Sequence, residues 1–194
     1  MFMYRCLSCS LALLLASGFW TQAAHSQPQL DPGSSRLLES SELEEVQALI
    51  PTATILETQS FRVKLQGQGM GSFVAAQSPP PDPAQLQLYW IQADEITSLP
   101  QPEDTQSWTL FSLDAVVFTE LDFDGLADVY IISRHLTGIG PTGADPFPWV
   151  TFYLQQPDGG FEVDPDLSRQ VSERGVGTVS EVETILRAEL RYLP

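Results

Sequence analysis

Glu120, Leu121, Asp122, Phe123, Asp124, Gly125, Leu126, Ala127 and Asp128 run without interruption, placing carboxylates at relative positions 1, 3, 5 and 9 and a glycine at 6. Calcium loops are built this way, because alternate side chains turn their oxygens inward and glycine allows the sharp bend around the ion. The spacing predicts calcium ligation by the side chains of Glu120, Asp122, Asp124 and Asp128 and by the backbone carbonyl of Leu126, at position 7. Four like charges so close together also repel one another unless a cation sits among them. Two features depart from an EF-hand. Glu120 stands where Asp is usual, and position 12 is Ile131 instead of a bidentate Glu, so Asp128 would have to close the shell. No paired helices flank the segment, which suits a structural clip and not a sensor. The plainer alternative is an acidic turn between two strands, since a chain with 25 Asp and Glu forms such clusters by chance.

A second region of interest is the loop 137–148, which holds three glycines and three prolines in twelve residues. Ile139 and Phe147, with Pro141 shaping the turn between them, give it apolar tips suited to a partner's cleft. Equally, Phe147 tucks into the core and the loop is a plain hairpin connection. His135, with Arg134, stands at the loop entrance, where a loop-anchoring histidine is the simpler reading than a catalytic one. The chain has no Gly-x-Ser-x-Gly elbow, phosphate-cradling glycine loop or His-Glu-x-x-His motif, so it reads as a non-enzyme. A carboxylate-pair glycosidase is the one enzymatic reading its acids leave open.

The elements that must position these residues are mostly strands. Phe61, Val63 and Leu65 alternate with Arg62 and Lys64, and the glycines at 67, 69 and 71 turn the chain back towards Phe73 and Val74, which predicts a hairpin. Four prolines within 78–83 make a stiff exposed connection before Leu86, Leu88 and Trp90 alternate again. A strand is expected over 108–118, with 115–118 fully buried, and the strongest β segments are 129–132 and 149–154. Residues 157–160 form a turn and 161–163 a short return strand. Ser41 with Glu44 predicts a capping box for a short helix ending before Pro51. Ser180 with Glu183 predicts another for a C-terminal helix carrying Val182, Ile185, Leu186 and Leu190 on one stripe. The fold class is therefore mainly β, an antiparallel sheet, sandwich or propeller-like fold, with the C-terminal helix packed on it and a short N-terminal helix.

Domain organisation follows from the first forty residues. Arg5 precedes an apolar run of fourteen residues from Leu7 to Trp20, too short for the roughly 20 that span a bilayer as a helix, and small residues follow at 23–26. This predicts a signal peptide over 1–26, a flexible leader over 27–40 and one domain over 41–194. Cleavage would remove both cysteines and Arg5 but no acid, leaving no disulfide, zinc-thiolate site or cysteine nucleophile. With 25 acidic against 9 basic residues, the chain repels nucleic acid and anionic headgroups and favours cations or basic partners. A periplasmic or secreted location is expected, with no stable membrane insertion after cleavage.

The segment 117–167, which joins the acidic loop to a β run, a Gly/Pro loop, Phe152-Tyr153-Leu154 and a Gly159-Gly160 turn, resembles exported bacterial proteins with a single FG-GAP-type or EF-hand-like calcium loop. It is also similar to the periplasmic lysozyme inhibitors of the invertebrate-lysozyme type and their relatives. That resemblance implies a β-rich, calcium-binding module that blocks a cell-wall hydrolase, with a basic lysozyme or peptidoglycan hydrolase as partner. It transfers no inhibitory residue. The alternative expectation is a structural envelope protein with the same calcium clip and no catalytic activity.

Overall fold

The computed structural model describes residues 35–79, 83–138 and 145–190. Along the chain these form β1 (Arg36–Leu37), α1 (Ser40–Leu49), β2 (Thr54–Ile55), β3 (Phe61–Leu65), β4 (Gly69–Gln77), β5 (Leu86–Gln92), β6 (Glu95–Ser98), β7 (Thr109–Thr119), β8 (Asp128–Leu136), β9 (Phe147–Gln155), β10 (Phe161–Asp164), α2 (Pro165–Ser172) and α3 (Val179–Ile185). The strands make two antiparallel sheets. One has the order β1-β3-β4-β5-β6, with β2 also paired to β4, and the other has the order β10-β9-β8-β7.

Side-chain alternation explains how they stack. Val63, Leu65, Phe73, Ala75, Leu88 and Trp90 of the first sheet meet Val129, Ile131 and Tyr153 of the second in one buried cluster. The opposite face of the first sheet, with Val74, Ala76 and Ile91, packs on Val46 and Ile50 of the α1 segment. The opposite face of the second, with Tyr130, Ile132, Val150 and Phe152, packs on Leu167 and Val171 of α2 and on Val182 and Ile185 of α3. The result is a two-sheet sandwich with a helical layer on each outer face. Strands β4 and β8 are therefore covered on both sides, which is why their sequences read as unbroken apolar runs.

α2 also completes a ladder. β10, the strand that leads into it, pairs with β9 only from Gln155 to Phe152. Beyond that point the helix takes over, with Ser168 Oγ accepting from Phe152 N at 3.0 Å and Ser172 Oγ accepting from Val150 N at 2.9 Å. Two hydroxyls one helical turn apart thus satisfy strand amides that would otherwise be orphaned in the core.

Several expectations need adjustment. The mainly β class with a C-terminal helix stands, as a sandwich; no propeller is shown. Residues 115–118 are half-buried and not fully buried, because β7 is the edge of its sheet and has a strand neighbour on one side only. Both capping pairs sit two residues earlier than expected: Glu39 with Glu42 opens α1, and Thr178 with Glu181 opens α3. The signal segment 1–26 and the leader up to residue 34 lie outside the described residues. The end of the expected leader belongs to the fold, since Arg36 and Leu37 pair with β3 and Leu38 is buried. Among the described residues no helix is long and apolar enough to cross a membrane.

Candidate functional site

The acidic loop joins β7 to β8 and is pinned at both ends before any side chain does chemistry. Leu121 is buried in the core beneath the helices and Ala127 in the core between the sheets. Between those anchors the carboxylates fold the backbone. Glu120 Oε1 accepts from Gly125 N at 2.8 Å, Asp122 Oδ1 from Asp124 N at 3.2 Å, and Asp124 Oδ1 from Leu126 N at 2.7 Å. Gly125 takes φ +84°, as its place in the sharp bend demands. Phe123 takes φ +63° with its ring half exposed, a left-handed conformation that costs a non-glycine residue about 1–3 kcal/mol.

Asp128 is used differently. It is fully buried; its Oδ2 accepts from Leu121 N at 2.7 Å and its Oδ1 from Gln155 N at 2.9 Å. Gln155, itself buried, accepts from Ala127 N at 3.1 Å and donates from Nε2 to Gln66 O at 2.7 Å. One carboxylate and one amide thereby lock the start of β8, the end of β9 and the β3–β4 turn together. Burial pushes the Asp128 carboxyl up to about 6, held back by the two amides and raised further by Asp122 and Asp124. Burial also raises Asp122, partly offset by the Asp124 amide, with the Asp124 carboxylate adding to the rise.

The donors are of the kind calcium takes, hard oxygens from carboxylates and a carbonyl. Their arrangement is looser. Among the described residues no three His, Cys, Asp or Glu side chains converge as a ready-made metal cluster. Glu120, Asp122 and Asp124 each turn one oxygen to a loop amide, the Asp122 and Asp124 carboxyls also meet each other, and both Asp128 oxygens already accept a hydrogen bond. Closing a shell at this loop therefore needs side-chain rotation, with Asp128 ligating through its remaining lone pairs.

At the other end of β8 the sandwich closes on an aromatic group. Trp108 packs edge to face on Phe147 at 4.9 Å and on Trp149 at 5.1 Å, and lies 5.7 Å from the ring of His135. Phe147 is thus the first residue of β9, paired in register with His135 and half-buried against Trp108. Ile139 and Pro141 lie outside the described residues. His135 is itself buried, with Nε2 2.8 Å from Ser133 Oγ, while its Nδ1 has no partner among the described residues. Burial lowers the imidazole to about 4, so it is neutral near pH 7. The sequence reading did not single out Ser133. The signal was present, because residues two apart on a strand share a face.

Comparison of the chain with protein families, curated proteins and solved structures finds no match.

Proposed function

We propose that this protein is an exported, non-catalytic binding module, periplasmic or secreted, in which the loop 120–128 takes a calcium ion as a structural clip. Glu120, Asp122, Asp124, Asp128 and the Leu126 carbonyl are its ligands. The observation that carries this reading is the loop itself: three carboxylates already shape its backbone, and two of them, Asp122 and Asp124, add their charge to a fourth acid, Asp128, whose carboxyl burial raises to about 6. A divalent cation relieves that crowding, and calcium tolerates an irregular set of oxygens better than magnesium, which demands a tight octahedron. Bound there, it would tie the end of β7 to the start of β8.

The excess of 25 acids over 9 bases supports a basic protein as partner, of the lysozyme or peptidoglycan-hydrolase kind. Residual activity of a panel of such hydrolases, measured with the purified protein in calcium and in EGTA, tests this. Inhibition of one of them that weakens in EGTA supports the whole reading. Calcium binding with no hydrolase inhibited points instead to an envelope protein that uses the same clip.

A further inference from the structure

A sheet edge that nothing covers is a template for another strand, and natural folds protect such edges. Most edges of this sandwich are short or covered. β1 has two residues, α2 takes over from β10, and β7 is interrupted by register shifts and capped from outside, where Leu110 N donates to Ala84 O at 2.6 Å and Gln59 Nε2 donates to Asp114 O at 3.2 Å. β6 is the exception. It ends its sheet, all its residues are exposed, its pairing with β5 has no bulge, and it contains neither proline nor lysine.

The β5–β6 hairpin fixes which backbone groups of β6 face out. Ala93 and Asp94 take φ +48° and +68°, the two positive values of a type I′ turn, which closes on a hydrogen-bonded pair at Gln92 and Glu95. Bonded and non-bonded pairs alternate from there, so Thr97 bonds Trp90, and Leu99 N donates to Leu88 O at 2.9 Å. The amides and carbonyls of Ile96 and Ser98 therefore point away from β5, and they make no hydrogen bond among the described residues. Pro100, with no N–H, ends the run. Successive side chains of the strand face opposite ways. Ile96, 38% exposed, lies on one face; Glu95 and Thr97 lie on the other, where they line a groove of about 410 Å³ that Asp158 also lines.

A strand added here would satisfy those backbone groups and set its own side chains alternately beside Ile96 on one face and beside Glu95 on the other. Charge selects the occupant. The chain has a net charge of −16, so a second copy brings like charge to this edge, and the described lining of the groove holds Glu95 and Asp158 but no basic residue. A segment with Lys or Arg facing the groove and apolar side chains on the Ile96 face matches both sides. We propose that the β6 edge binds an extended segment of a basic protein, with basic and apolar residues alternating, by taking it up as a further antiparallel strand. The proposal rests on the reading of a basic partner above and adds to it the surface and the backbone mode of recognition.

The test follows amide hydrogen exchange at Ile96 and Ser98 in the 15N-labelled full chain during titration with acetyl-Lys-Val-Lys-Val-Lys-Val-amide. Two control peptides replace every Lys by Glu or every Val by Pro; the second keeps the charge but lacks the N–H groups that would pair with β6. Saturable protection of both amides by the Lys-Val peptide alone is expected. Glu95→Gln should weaken binding about two- to fivefold, as losing one exposed ion pair does. Ile96→Pro, which removes an outward N–H and no bond to β5, should weaken it about fivefold or more, and Glu173→Gln on the far helical layer should leave it unchanged. The proposal is overturned if the amides gain no protection, if either control peptide protects them as well, or if Glu95→Gln or Ile96→Pro binds as tightly as the parent. It is overturned too if sedimentation shows a dimer in which both amides are already protected without peptide. A basic hydrolase inhibited equally by the parent and by Ile96→Pro would leave the basic-partner reading standing and remove only this edge.

Discussion

At the first residue of β8 the Asp128 carboxylate lies buried between two backbone amides, whereas seven residues on His135 lies buried with one ring nitrogen engaged and the other without a partner among the described residues. Both groups meet the same desolvation, which disfavours the charged form and so drives an acid up and a base down. Asp128 is raised to about 6 and keeps its partners; His135 is lowered to about 4 and stays neutral near pH 7. One strand thus ends in an ionisable group used as a backbone clamp and in another used as aromatic filling. Burial alone does not mark a group as functional. The number of partners it holds, and the charges gathered round it, separate the two ends.

The sharpest way to break that contrast is to remove the clamp. Asp128→Ala leaves the Leu121 and Gln155 amides buried without acceptors and should cost about 2–5 kcal/mol in urea unfolding. A loss below about 1 kcal/mol would show that water or relaxation replaces the carboxylate.

The histidine end is tested by pH. The folded His135 value, about 4, lies below the 6.5 of the free side chain, so its contribution is present above pH 6.5 and is lost as pH falls towards 4. The shift corresponds to about 3 kcal/mol. Asp128, raised to about 6, works in the opposite sense over part of that range, since its protonation favours the fold. The reading is therefore the difference between the parent and His135→Leu: the parent should lose ground to the variant between pH 7 and pH 4. Parallel stability curves would show that His135 titrates normally.

Smaller effects sharpen the comparison. Phe147→Ala removes the edge-to-face contact with Trp108 and should lower stability by about 1–2 kcal/mol, whereas a purely partner-facing ring would leave unfolding unchanged. Asp124→Ala, at an exposed side chain with one loop hydrogen bond, should cost about 1 kcal/mol or less without calcium. Its main effect should be on the calcium response.

Much of the sandwich is legible in the amino-acid pattern, for stated reasons. β3 and β5 alternate because each has one strongly buried face, and β8 and β9 stand out because branched and aromatic residues cover both faces. β6 escapes such reading because all four of its residues are exposed and its one apolar side chain, Ile96, sets no alternation. α2 escapes because its inner stripe mixes Leu167 and Val171 with Ser168 and Ser172, which look polar in sequence yet cap strand amides. The cue for it was Asp164 before Pro165, an N-cap whose side chain accepts from Leu167 N at 2.9 Å. In the acidic loop the spacing shows which carboxylates are near one another. It does not show that Asp128 spends both oxygens on the backbone, because Leu121 and Gln155 reach it through the fold and not through neighbouring sequence. The 67–71 turn carries a similar limit: Gly71 serves Trp90, nineteen residues away, and not the bend.

Thermal melts of the purified protein in calcium, in magnesium and in EGTA, run in parallel on the parent, Asp124→Ala and Asp158→Ala, test the central claim most directly. At free calcium of about 100 times the dissociation constant, the parent should gain about 2.7 kcal/mol, magnesium should give less, Asp158→Ala should respond like the parent, and Asp124→Ala should not respond. Identical melts of the parent in calcium and EGTA, or a calcium response that survives in Asp124→Ala, would contradict the clip.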